Sequence, residues 1–242
     1  MIPTTERALP FFKIAGIQVS IHWSWFLVAV YSIQSRSDEY TSLTWNVLEY
    51  LALFLIVLMH EFGHSLACRS VGGQADRIIL WPLGGVAFVS PPPTPAATLW
   101  SIAAGPLVNL LLIPVINLFI LLGTQGSAGG FLAQNPNLTA LLGTIANINL
   151  VLLIFNILPI YPLDGGQIFR ALLWFLIGPI RSLAIATFVG LLGGAGLMAL
   201  ALYYQSIWTA ILAGFLFLNC LSAFRAAIAM SRNANQPHQH DF

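Results

Sequence analysis

Leu55-Ile56-Val57-Leu58-Met59-His60-Glu61-Phe62-Gly63-His64-Ser65-Leu66-Ala67 reads H-E-x-x-H inside a long apolar run. On a helix, His60 and His64 are four residues apart, so both imidazoles leave from one face. That spacing suits two nitrogen ligands on one zinc ion, with Glu61 beside them to take a proton from water. A short H-E-x-x-H match also arises by chance on soluble helices. Inside hydrocarbon that bland reading weakens, because an acidic residue at a helix centre costs about 2.5–3.5 kcal/mol on insertion scales. A buried metal is the simplest offset.

Working outward, composition agrees with a membrane setting. Of 242 residues, 58% are hydrophobic and 7% charged, and the mean hydropathy is +0.84. Soluble domains carry about 25% charged residues. So few charges cannot coat a globular surface, and the chain reads as a single polytopic membrane domain over residues 1–230 with a polar tail over 231–242. A net charge of +1 gives no case for nucleic-acid binding. Cys68 and Cys220 both fall in apolar spans and form no C-x-x-C site. Met1 to Lys13 lacks the features of a signal peptide.

The expected fold is an all-α membrane protein, a six-transmembrane helix bundle. After a short polar arm over 1–16, the spans run about Ile17–Ile33, Trp45–Cys68, Thr98–Leu122, Leu138–Leu158, Arg181–Tyr203 and Ile207–Ala229. His22-Trp23-Ser24-Trp25 fits an interfacial aromatic belt, with His22 near the metal as the other possibility. Between spans two and three, Arg77 to Val89 reads as two short strands bent near Gly84-Gly85, a membrane-associated β-hairpin; a plain connecting loop is the alternative. Pro106 interrupts the third span, and an uncharged loop follows from Gly123 to Asn137. Asn147, Asn149 and Asn156 interrupt the fourth. A short helix restarts near Gly165 and ends at Gly178-Pro179. With six spans both termini share a side. Arg7, Lys13, Arg69, Arg77, Arg170, Arg181, Arg225 and Arg232 then fall on that side and only Arg36 on the other, which makes it cytoplasmic.

A catalytic zinc takes three protein ligands and keeps one position open. Apart from Glu61, Asp164 reads as the acidic residue within the apolar part of the chain, and so as the third ligand; its other possible role is the N-cap of the short helix after it. His238 and His240 belong to the tail and take no ligand role.

His60-Glu61-Phe62-Gly63-His64, taken with Asn156-Ile157-Leu158-Pro159-Ile160-Tyr161-Pro162-Leu163-Asp164-Gly165-Gly166, resembles the site-2 protease family of intramembrane zinc metalloproteases. His22-Trp23-Ser24, Leu83-Gly84-Gly85-Val86-Ala87 and Ala104-Gly105-Pro106-Leu107-Val108-Asn109 match as well. The likeness covers about His22 to Leu173. It implies one zinc per chain on His60, His64 and Asp164, Glu61 as catalytic base, and Asn156 as a donor to substrate or oxyanion. The Gly84-Gly85 strand would line the substrate path. It implies as substrates single-span membrane proteins such as anti-sigma factors or tethered regulators; relatives often carry CBS or PDZ modules, and the chain departs from them by reading as a minimal form without either. Gln167 departs from the pattern, since many relatives have a basic residue there. A prokaryotic inner or plasma membrane is the expected location. A membrane metal-ion transporter is the rival reading, but the chain offers one ligand constellation where a translocation path needs several. A zinc protease with a later glutamate as third ligand is excluded, because no glutamate follows Glu61.

Overall fold

The computed structural model describes residues 8–36, 38–81, 84–125 and 130–234. Arg7, the 82–83 bend of the expected hairpin, and the tail from 235 with His238 and His240 lie outside the described residues. The chain divides into two compact units. One takes the residues up to Pro92 together with Ala104–Ile154; the other takes Pro93–Ala103 and the residues from Phe155 onward.

The first unit is built on a sheet and a helix. Strand β1 (Ala8–Ile14) turns back into β2 (Ile17–His22), helix α1 (Ser24–Ser35) leads to α2 (Leu43–Ser70), and β3 (Gln74–Trp81) and β4 (Gly84–Ser90) follow. The order is β1-β2-β3-β4. β1 with β2 and β3 with β4 are antiparallel, while β2 runs parallel to β3 with Val19 opposite Ile78 and Ile21 opposite Leu80. A parallel pair needs a long crossover, and α1 with α2 provides it.

This sheet corrects the all-α expectation. The supposed first span begins with Ile17-Gln18-Val19-Ser20-Ile21-His22, an alternation of period two that belongs to a strand. Ile17 and Val19 bury on α2 with Ile78 and Leu80 of β3, around Val57 and Leu58. What remains of that span, α1, has 12 residues. At 1.5 Å per residue it reaches about 18 Å, short of the roughly 30 Å of hydrocarbon. The arm over 1–16 is not merely polar either: its Ala8–Ile14 is an apolar edge strand with a bulge between Pro10 and Phe12, where an edge tolerates proline.

Among the described residues, five helices are long and apolar enough to cross a membrane: Leu43–Ser70, Pro95–Thr124, Pro136–Ile157, Pro179–Tyr203 and Ile207–Arg232. They correspond to expected spans two to six. Pro106 and Pro114 both sit inside the second of them, α3 (Pro95–Thr124). In the loop after α3, Gly130–Ala133 forms a single helical turn, α4, before α5 (Pro136–Ile157).

Lipid tails are as apolar as leucine, so membrane helices gain from close packing rather than from leaving lipid. The α2–α3 contact shows this. A Cβ on Gly63 would come 2.7 Å from the Ala104 carbonyl oxygen and 2.9 Å from Val108 Cγ2. Only a bare backbone allows that approach.

In the second unit, α5 ends at Ile157 and a proline-rich turn leads into α6 (Asp164–Ile177), with a cis peptide between Tyr161 and Pro162. Gly165 and Gly166 seat the start of α6 on that turn: added Cβ atoms would lie 2.1 Å from Ile157 O and 2.3 Å from Tyr161 N. Gln167 Nε2 donates to Pro162 O at 3.0 Å and ties the turn to the helix. Gly178 breaks α6 at φ +79°, and Pro179 opens α7 (Pro179–Tyr203). Helix α8 (Ile207–Ala234) follows a tight turn, where the Ser206 hydroxyl accepts from Thr209 N–H.

Candidate active site

Helix α2 presents His60, Glu61 and His64, all buried at 3%, 5% and 5% exposure. The Nε2 atoms of His60 and His64 face each other at 3.1 Å, with the rings nearly perpendicular. Two nitrogens each 2.0–2.1 Å from one tetrahedral zinc would be about 3.3 Å apart. The pair therefore fits two adjacent corners of such a site.

Helix α3 meets this face with its own pair at the same spacing, Gly105 and Asn109. A Cβ on Gly105 would lie 2.3 Å from His64 Nε2 and 2.8 Å from His60 Nε2, so the glycine leaves the room between the rings open. One turn on, Asn109 Oδ1 sits 2.5 Å from His60 Nδ1. The sequence reading took Gly105 and Asn109 only within the Ala104–Asn109 stretch that matches the family, with no role assigned to either. The legible signal was their i, i+4 spacing, which mirrors that of His60 and His64 on the neighbouring helix.

Glu61 turns towards the sheet. Its Oε2 accepts from the Ala87 N–H of β4 at 2.8 Å. Gly85 lies against it, since a Cβ there would be 2.3 Å from Glu61 Cγ. Gly84 has φ +136° with open space around it. Among the described strands β4 pairs only with β3.

Asp164 is the first residue of α6, while Leu163 occupies the N-cap without a side-chain cap. The capping role considered from sequence is therefore not the one Asp164 plays. Asn156, half-buried near the end of α5, makes no side-chain hydrogen bond among the described residues. His22 bonds through Nδ1 to the Ser24 hydroxyl at the head of α1. Besides Glu61 and Asp164, the apolar part of the chain holds a further acid, Glu49 of α2. It is committed elsewhere, ion-paired with Arg36 Nε at 2.7 Å and accepting from the Tyr40 hydroxyl at 2.5 Å. Burial and that bond to Glu49 raise the Tyr40 pKa.

Residues 49–200 match the model of peptidase family M50. The chain belongs to that family. Zinc metalloprotease MJ0392 of Methanocaldococcus jannaschii is 35% identical to it over 181 residues, which are 74% of this M50 chain and 49% of that protein. The Synechocystis sp. protein sll0528 is 29% identical over 88% of this chain and 58% of its own length. The M50 chain thus spans about half the length of the curated relatives it matches. The solved structure of a site-2 protease from M. jannaschii superposes with a TM-score of 0.64 at 29% identity, covering 90% of this chain and 95% of that one.

Proposed function

We propose that the chain is an intramembrane zinc metalloprotease that cuts peptide bonds within or beside the transmembrane segments of membrane proteins, working as one polytopic domain. The observation that carries this reading is the pair of buried imidazoles with Nε2 atoms 3.1 Å apart, in the same helix turn as Glu61. His60, His64 and Asp164 make up the ligand set. Two imidazole nitrogens and one carboxylate are a common donor set for a catalytic zinc with an open position. When bound, the ion supplies Lewis acidity, polarising the scissile carbonyl and acidifying water.

The side chains do the rest. Glu61 takes the proton from the attacking water and passes it to the leaving amine. The Ala87 N–H holds its Oε2, so the other oxygen can face the water. Asn156 donates to the oxyanion; its unengaged amide supports that role. A substrate helix must unwind before its carbonyls are accessible, because its amides are internally bonded. Pairing of the unwound segment along the edge of β4, at Gly84-Gly85, offsets the lost helix bonds.

The substrates we infer are single-span membrane proteins such as anti-sigma factors or tethered regulators, in a prokaryotic inner or plasma membrane. The N-terminus lies on the cytoplasmic side. The positive-inside rule assigns the Arg69 and Arg77 side to the cytoplasm, and Arg225 and Arg232 give the same assignment for the C-terminus. A transporter would need further ligand groups along a path. In the spanning helices of the first unit, Glu49 is taken up by Arg36 and Asn109 by Asn149.

The test compares membrane fragments of cells expressing wild type and Glu61→Gln. Fragments of single-span proteins should accumulate only with wild type. Identical fragment patterns would contradict the protease reading.

A further inference from the structure

Two asparagines behind the histidine pair have no part in the mechanism above. Asn109 of α3 and Asn149 of α5 are buried in spanning helices at 0% and 1% exposure. A buried amide in hydrocarbon is costly unless its donors and acceptors are matched. These two are matched in a directed chain. Asn149 Nδ2 donates to the Asn109 backbone carbonyl at 2.9 Å, and Asn109 Nδ2 donates to Asn149 Oδ1 at 2.8 Å. Asn109 Oδ1 lies 2.5 Å from His60 Nδ1.

The direction of each bond follows from the one before. A backbone carbonyl can only accept, so the Asn149 amide nitrogen must face it. The Asn149 oxygen then faces Asn109 and calls for a donor, which turns the Asn109 nitrogen towards it. That leaves the Asn109 oxygen towards His60, and an oxygen without a hydrogen requires a proton on Nδ1. A neutral imidazole protonated at Nδ1 has its lone pair on Nε2, the atom that faces His64.

We propose that Asn109 and Asn149 form a two-amide relay that fixes His60 as the Nδ1–H tautomer and aims its Nε2 at the metal position. Both are positioning residues, and the part of the proposal that concerns the metal rests on the zinc reading. Interhelical glue alone is the competing role, since asparagines do bridge membrane helices. Glue does not require the amide order to end in an acceptor facing a ligand. Partners behind metal-binding histidines fix ring orientation, and their loss typically weakens metal binding about 10–100-fold.

The experiment has two readouts on detergent-purified full chain. The first is the ring-nitrogen NMR spectrum of 15N-histidine-labelled protein stripped of metal. Wild type should show His60 protonated at Nδ1, and Nε2 protonation would overturn the relay whatever the zinc behaviour. The second is zinc affinity against a competing chelator. Asn109→Leu, branched alike but without an acceptor, should weaken zinc about 10–100-fold and give mixed His60 tautomers. Asn109→Asp, which restores the acceptor, should recover both. Asn149→Leu should loosen the tautomer to a smaller degree. If wild type binds zinc and Asn109→Leu binds it equally with an unchanged tautomer, the relay is wrong. A wild type that holds Nδ1–H yet binds no zinc would leave the relay intact and refute the zinc reading.

Discussion

Gly85 of β4 lies directly against Glu61 of α2: a single added carbon would stand 2.3 Å from Glu61 Cγ and 2.5 Å from its Oε1. The contact joins the edge strand to the proton-transfer group. Cγ can move away only by rotation about the Cα–Cβ bond, which would carry the whole carboxylate off the Ala87 N–H.

Gly85→Ala should therefore displace the carboxylate while leaving the histidines in place. A misplacement on the order of 1 Å can cost about 100-fold in rate, so cleavage should fall by about 10–100-fold with zinc content unchanged. Cell-based cleavage and metal analysis of the same variant check this. Unaltered cleavage would mean that Glu61 does not depend on this contact. Gly85→Pro should be at least as damaging, through the loss of β4 pairing as well.

Gly105→Ala should act on the other half of the site. Its methyl would occupy the space next to His64 Nε2 and His60 Nε2. Zinc per chain should drop well below wild type, with helix content by circular dichroism preserved. Full zinc occupancy in Gly105→Ala would contradict the position assigned to the ion beside α3.

Arg36 and Glu49 form a clasp where α1 joins α2. The Glu49 side chain is 10% exposed and that of Arg36 38%. Removing Arg36 leaves a nearly buried carboxylate without its charge partner, and water at the half-open arginine limits the cost to about 1–3 kcal/mol. Arg36→Gln should lower the thermal midpoint in detergent, and Arg36→Gln with Glu49→Gln should recover part of the loss. No recovery would show that the two charges are not coupled.

The metal-ligand pair was legible because H-E-x-x-H combines a chemical pattern with the helix period, and five spans were legible from apolar length. The N-terminal sheet was not. Ile17 to His22 alternates with period two, but it runs without a break into the apolar α1, so the two together imitate one spanning helix. The parallel pairing of β2 with β3 joins segments some sixty residues apart and leaves no local mark. Asn109 and Asn149 were visible as polar interruptions of apolar spans, yet their order of donation depends on a backbone carbonyl whose neighbour only the fold selects. Glu49 was hidden in the same way: its partners Arg36 and Tyr40 come from the preceding loop and helix end.

The most direct test of the account is the zinc content of detergent-purified wild type, Glu61→Gln and Asp164→Ala. One zinc per chain in wild type and in Glu61→Gln, with loss in Asp164→Ala, is the predicted result. Zinc retained at full occupancy without Asp164, or absent from wild type, would contradict the site of two histidines and one aspartate on which the proposed chemistry depends.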